Sequence, residues 1–137
     1  MRNEVESVII EVDGSLNHAE KRASIAGVFS NGTQFFGEVP YSRSTTLVEG
    51  RAVLIALYVA ALDPEAQAKR FKVICDNDSL VSALLKPTGR ESTELARLVS
   101  AIRSLSSSLP LVEFFNVSRV MVSSAHELAR KILNSEV

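Results

Sequence analysis

The sequence predicts a single mixed α/β domain, one sheet with helices packed against it, and three features predict it. Residues 8–15 (VIIEVDGS) and 71–76 (FKVICD) are apolar, largely β-branched runs that each reach an aspartate. Asn31-Gly32 separates two further strand-like runs and marks a tight hairpin. Residues 47–62, between the two aspartate-bearing runs, are apolar around nearly the whole circumference of a helix, as a helix covered on more than one side must be.

Taken in order, residues 8–15 form a strand expected to stop at a turn over Asp13-Gly14-Ser15. After a polar connection, residues 23–29 make a second strand with small side chains suited to close packing, and residues 33–39 a third, giving an antiparallel meander. The polar loop 40–46 supplies N-cap candidates for the helix over 47–62, which Asp63-Pro64 closes. Strand 71–76 leads into a short helix, 77–85, ended by Lys86-Pro87. Residues 88–105 place Leu95, Leu98, Val99, Ile102 and Leu105 at helical spacing, with Thr88 and Glu91 in capping-box positions. A serine-rich turn, too short for a linker, precedes a fifth strand at 111–117. The last helix, 125–133, has Ser124 and Glu127 as a second capping box, which puts His126 in its first turn. The order is βββαβααβα, one domain over residues 1–137 with no internal repeat.

Composition narrows the function classes. No apolar run approaches the roughly 20 residues a membrane helix needs, so no membrane partner is expected. The charged start MRNEVES has no apolar core of a leader behind it, because Glu11 and Asp13 interrupt the VII run. The single cysteine, Cys75, cannot close an internal disulfide, which fits a reducing, intracellular setting. A net charge of −1 gives no global attraction for polyanions, so nucleic acid must be drawn by a local basic patch or through metal ions.

The topology points to a site. A meander on one side of the first strand and a helical crossover to the other create a switch point between the first and fourth strands, outside whose carboxyl ends ligands bind. Asp13 and Asp76 stand at those ends, and Glu49 and His126 come from helices that the same topology brings near. Glu49 is the most telling, since Ala52, Val53 and Ala56 share its helix face. A buried acid without a partner costs several kcal/mol, and two more acids beside it make cations the natural compensation. Hard oxygen donors select Mg²⁺ or Mn²⁺, and two such ions about 3.5–4 Å apart activate water and stabilise the leaving oxygen of a phosphodiester. At a helix N-terminus the dipole keeps the His126 ring neutral and available as a ligand. Each residue has a plainer alternative: Asp13 as a turn residue, Asp76-Asn77-Asp78 as a helix cap, Glu49 paired with Arg43 or Arg51, His126 as a surface side chain. Convergence of all four on one switch point favours the metal reading. Cys75 reads as a small buried hydrophobe, His18 has no evident partner, and Lys21, Arg22 and Arg43 are loop cations equally suited to phosphate or to water.

These residues also carry a resemblance. The segments IEVDGS, AGVFSNG, STTLVEGRAVLIAL, VICDNDSLVSALL and SRVMVSSAHELAR, in this order and spacing, resemble ribonuclease H type 1 domains, particularly the plant version found beside or derived from reverse transcriptases of retrotransposons. The last segment is similar to the closing R-x-x-N-x-x-A-H-x-L-A pattern of that group, with Val122 at the asparagine position. The resemblance implies a five-stranded mixed sheet of order 3-2-1-4-5 and metal-dependent cleavage of the RNA strand of RNA/DNA hybrids, leaving a 3′-hydroxyl and a 5′-phosphate. It implies Asp13, Glu49, Asp76 and His126 as the catalytic, metal-binding set for two Mg²⁺ or Mn²⁺ ions. It places Ser44, Thr45 and Thr46 in the stretch that contacts the hybrid, and Ser15 and Arg43 are counted with them as nucleic-acid contacts. With net charge near zero, a tethered or partner domain is expected to add affinity. The rival expectation is a domesticated, weakly active or inactive domain kept to bind nucleic acid or protein; a third is a nuclease of the same fold acting on DNA.

Overall fold

A computed structural model describes residues 5–133; residues 1–4, part of the charged start read above, and residues 134–137 lie outside it. The elements run β1 (Glu6–Asn17), β2 (Arg22–Phe29), β3 (Gln34–Val39), α1 (Thr45–Ala61), β4 (Lys69–Cys75), α2 (Asp78–Leu85), α3 (Thr93–Ser106), β5 (Val112–Asn116) and α4 (Ser123–Leu133), with short 3₁₀ turns at Ala66–Ala68 and Arg119–Val122. The five strands form one sheet in the order β3-β2-β1-β4-β5. β1, β2 and β3 pair antiparallel; β1 with β4 and β4 with β5 pair parallel, so the predicted element order and strand order both hold. Among the described residues, no helix is long and apolar enough to cross a membrane.

The core fills the space between the sheet and α1, α2 and α3. Val8, Ile10 and Val12 from alternate positions of β1 meet Val48, Ala52, Val53 and Ala56 of α1, all at most 1% exposed. α1 also packs on α3, which is why it is apolar on more than one side: a Cβ at Gly50 would lie 2.6 Å from Leu98 Cδ2. α4 covers the strands β1, β2 and β3. Its buried Ala125 and Ala129, one helical turn apart, let it lie close enough for Ser24 Oγ of β2 to donate to the Ala129 carbonyl at 2.6 Å.

Three local expectations are corrected. β1 does not turn at Asp13-Gly14-Ser15; its pairing with β2 continues through Asp13↔Ala26, Gly14↔Ile25 and Ser15↔Ser24 to Asn17↔Arg22, and the chain turns at Lys21, whose φ is 53°. Gly14 is small for packing, since a Cβ there would sit 2.8 Å from Val48 Cγ1. The helix predicted from Thr88 begins at Thr93: Pro87 and Gly89, at φ 81°, break it, and Ser92 Oγ caps it by accepting from the Leu95 N–H. Glu91 does reach back to the Thr88 N–H and hydroxyl, at 2.9 and 2.8 Å, but the contact closes a loop. Finally, α4 starts at Ser123, directly from the 3₁₀ turn, so Ser124 is inside the helix and does not cap it. The carboxylate that meets its N-terminus is Glu11, whose Oε1 accepts from the Ala125 N–H at 3.4 Å, an anion at the positive end of the helix dipole.

Candidate active site

The pairing pattern of β1 opens the site. Its parallel partnership with β4 ends at Glu11↔Ile74 while its antiparallel pairing with β2 runs on, so beyond that register the two parallel strands part and leave a crevice. Asp13 lies two residues past the split on β1, and Asp76 follows the last residue of β4. Asn77 caps α2 by accepting from the Leu80 N–H at 2.9 Å, which fixes the chain immediately after Asp76. Glu49, in the first turns of α1, is brought in because Gly14 lets that helix approach β1.

Asp13, Glu49 and Asp76 each offer a carboxylate oxygen, and the three atoms lie within 4.8 Å of one another. Asp13 is fully buried and Glu49 is 5% exposed. Neither Arg43 nor Arg51 compensates Glu49: Arg43 is exposed, and Arg51 donates to the Pro40 carbonyl at 2.9 Å. Glu49 Oε2 is buried with no hydrogen-bond partner. Burial, first, then the adjoining Asp13 carboxyl and the charge of Asp76 push the Glu49 carboxyl up to about 9, with the Asn77 amide opposing. Burial likewise raises the Cys75 thiol to about 12, consistent with its reading as an inert hydrophobe.

His126 joins the cluster through Asp13. Its Nδ1 lies 2.7 Å from Asp13 Oδ2, while Asp13 Oδ1 accepts from the Gly14 N–H at 2.9 Å. A carboxylate oxygen accepts, so in this pair Nδ1–H is the donor and Nε2 is left as an acceptor. Arg119 Nη1 stands 3.3 Å from that Nε2 and 2.9 Å from Nδ1, and Arg119 Nε lies 3.1 Å from Asp76 Oδ2. Sequence reasoning assigned Arg119 nothing, although its position seven residues before His126 in the closing motif was a usable signal.

Glu49, Asp76 and His126 line a cleft of about 500 Å³ with Ser15, His18, Thr45, Asn77 and Arg119 among its walls, and Asp13, fully buried, lies behind them. Of the expected nucleic-acid contacts, Ser15 and Thr45 face this cleft. Arg43 opens onto an adjoining groove shared with His18, Lys21 and Tyr41, where His18 Nδ1 lies 2.6 Å from the Tyr41 hydroxyl. Ser44 and Thr46 are otherwise engaged: Ser44 Oγ caps α1 by accepting from Leu47 N–H, and Thr46 Oγ1 accepts from Asn77 Nδ2 at 3.2 Å.

The sequence matches the reverse transcriptase-like family over residues 11–132. A search of curated proteins gave no match. Among solved structures, the chain is similar to ribonuclease H1 from the archaeon Halobacterium salinarum, with a TM-score of 0.82 at 18% identity, covering 93% of this chain and 98% of that one. It is similar to the N-terminal RNase H domain of a Mycobacterium tuberculosis protein, with a TM-score of 0.81 at 17% identity and 94% coverage of both chains. It also resembles LC11-RNase H1, solved in complex with an RNA/DNA hybrid, with a TM-score of 0.80 at 16% identity, covering 93% of this chain and 96% of that one.

Proposed function

Because the chain belongs to the reverse transcriptase-like family and has the ribonuclease H fold, we propose that it is a metal-dependent endonuclease that cleaves the RNA strand of RNA/DNA hybrids, leaving a 3′-hydroxyl and a 5′-phosphate. The observation that carries the reading is a buried Glu49 whose Oε2 has no hydrogen-bond partner and whose carboxylate is grouped with two more. Such an arrangement is unfavourable by itself and becomes favourable when cations enter. A neighbour of the same fold that holds an RNA/DNA hybrid supports the choice of substrate.

The donor set of Asp13, Glu49 and Asp76 is all-oxygen and fits divalent cations, and His126, held by Asp13 through Nδ1, would offer its Nε2 beside them. Mg²⁺ or Mn²⁺ bound there supplies an activated water and neutralises charge at the leaving oxygen. Asp13 belongs to that set and also holds His126, and its burial keeps it in place. Burial and the neighbouring carboxyls, which push the Glu49 carboxyl up to about 9, let it keep a proton at neutral pH that a bound divalent ion would displace. Asp13 orients His126 by accepting from its Nδ1. Ser15, Thr45 and Arg43 take the hybrid from the cleft and its adjoining groove. Ser44 and Thr46 act by holding the α1 entry and the Asn77 loop in register.

The test is cleavage of an end-labelled RNA/DNA hybrid in Mg²⁺ and in Mn²⁺, beside duplex RNA and duplex DNA, with Asp13→Asn as the control. RNA-strand cleavage of the hybrid alone, abolished by EDTA and reduced to background in Asp13→Asn, is expected. Cleavage unchanged in the variant, or preference for duplex DNA, refutes the assignment. Hybrid that is bound and left intact in both ions identifies a binding module instead.

A further inference from the structure

Among the described residues, Arg119 is the cation that meets the acidic cluster. Its Nε is 3.1 Å from Asp76 Oδ2 and its Nη1 2.9–3.3 Å from the two ring nitrogens of His126, so one guanidinium ties the end of β4 to the start of α4 across the cleft mouth. The two ends of this tie differ in freedom. The Asp76 side chain is 10% exposed, whereas that of Arg119 is 58% exposed. Arg119 begins a 3₁₀ turn whose next two residues, Val120 and Met121, are exposed and whose last, Val122, is fully buried. The backbone of the turn is therefore anchored while the arginine side chain can swing away without opening the core. A half-exposed ion pair is weak, and an ion of twice the charge that bonds directly to the carboxylate oxygens outcompetes it.

We propose that Arg119 is a resident counter-cation of the carboxylate cluster: it positions Asp76 and His126 in the metal-free protein and is exchanged for the divalent ion, so that it lowers the affinity of the site for metal. This rests on reading Asp13, Glu49 and Asp76 as a metal site. Arg119 acts through those ligands and is a positioning residue.

The experiment is Mn²⁺ titration by calorimetry of the full chain, its Arg119→Gln and Arg119→Lys variants and Asp13→Asn, with thermal melts in EDTA and in saturating Mn²⁺. Removing the half-exposed ion pair that the divalent ion must displace is expected to tighten Mn²⁺ binding by about two- to fivefold in Arg119→Gln. Arg119→Lys keeps the charge and is expected within about twofold of the parent. In EDTA, Arg119→Gln melts below the parent, and saturating Mn²⁺ closes the gap because binding is tighter. Opposite movement of metal-free stability and metal affinity separates this role from simple damage, which lowers both. Equal or weaker Mn²⁺ binding by Arg119→Gln, with the parent binding and Asp13→Asn not, overturns the counter-cation role alone. Failure of the parent to bind Mn²⁺ overturns that role together with the metal site.

Discussion

Replacing Glu49 with Gln tests the electrostatics of the site without any assumption about substrate. The folded, metal-free protein holds the Glu49 carboxyl at about 9 against an ordinary value of 4.5, so between these limits the folded state carries a proton that the unfolded state has released. Stability rises with pH only where the unfolded state binds more protons; here the folded state binds more, and stability must fall as pH climbs from about 4.5 to about 9. At roughly 1.4 kcal/mol per pH unit, the proton uptake costs the metal-free protein about 3 kcal/mol at pH 7, as an upper figure. Glutamine has nearly the same volume, needs no proton, and its amide can donate to the Asp13 carboxylate. Glu49→Gln is therefore expected to raise metal-free stability by about 1–3 kcal/mol at pH 7, a melting shift of several degrees for a domain of this size. The gain should shrink to under about 1 kcal/mol at pH 5 and grow toward pH 9. Urea unfolding in EDTA at pH 5, 7 and 8.5 reads it directly. A variant that is less stable than the parent at pH 8.5, or whose difference from the parent is flat with pH, refutes the account of Glu49 as a buried acid waiting for cations.

Other perturbations reach the site through the fold. Gly14→Ala puts a methyl 2.8 Å from Val48 Cγ1, and such overpacking costs roughly 1–3 kcal/mol. Because the same contact sets the approach of α1, the melting-temperature increase on adding Mn²⁺ should shrink as well. Ser92→Ala removes the α3 cap and should lose about 1 kcal/mol in urea unfolding, whereas Thr88→Ala, outside the helix, should leave α3 intact by amide exchange. His126→Asp exchanges an imidazole for a hard carboxylate and should narrow the preference for Mn²⁺ over Mg²⁺, read as the ratio of the two dissociation constants by calorimetry.

How much of this was legible in the sequence follows from the range of each interaction. Strand runs, the Asn31-Gly32 hairpin and the all-round apolar helix are written in local periodicity, and with the crossover rule they suffice for the element order and the switch point. Glu49 was legible for the same reason, since an acid on an apolar helix face can be recognised from its own neighbours. Helix starts were less so. Thr88 and Glu91 form the contact a capping box would, yet Pro87 and left-handed Gly89 divert the chain and Ser92 takes the cap. Asp13-Gly14 has the composition of a turn, but β2 keeps pairing past it, and no local rule reports that the glycine is needed against Val48 from another element.

The least legible parts belong to side chains whose meaning exists only after the sheet is assembled. In the sequence Glu11 is only a charge that interrupts an apolar run; in the structure it serves the N-terminus of a helix 114 residues further along. Strand alternation puts Glu11 and Asp13 on one face, and α4 meets both, its Ala125 N–H on the first and His126 on the second. Two carboxylates at positions i and i+2 thus fix both the height and the rotation of α4. The buried Ala125 and Ala129 let the helix come close enough for that, and Ser24 pins its far end. The position of His126 beside Asp13 is consequently a property of the whole β1–β2–α4 packing, and the 3₁₀ turn that delivers α4 carries Arg119 to Asp76 by the same geometry.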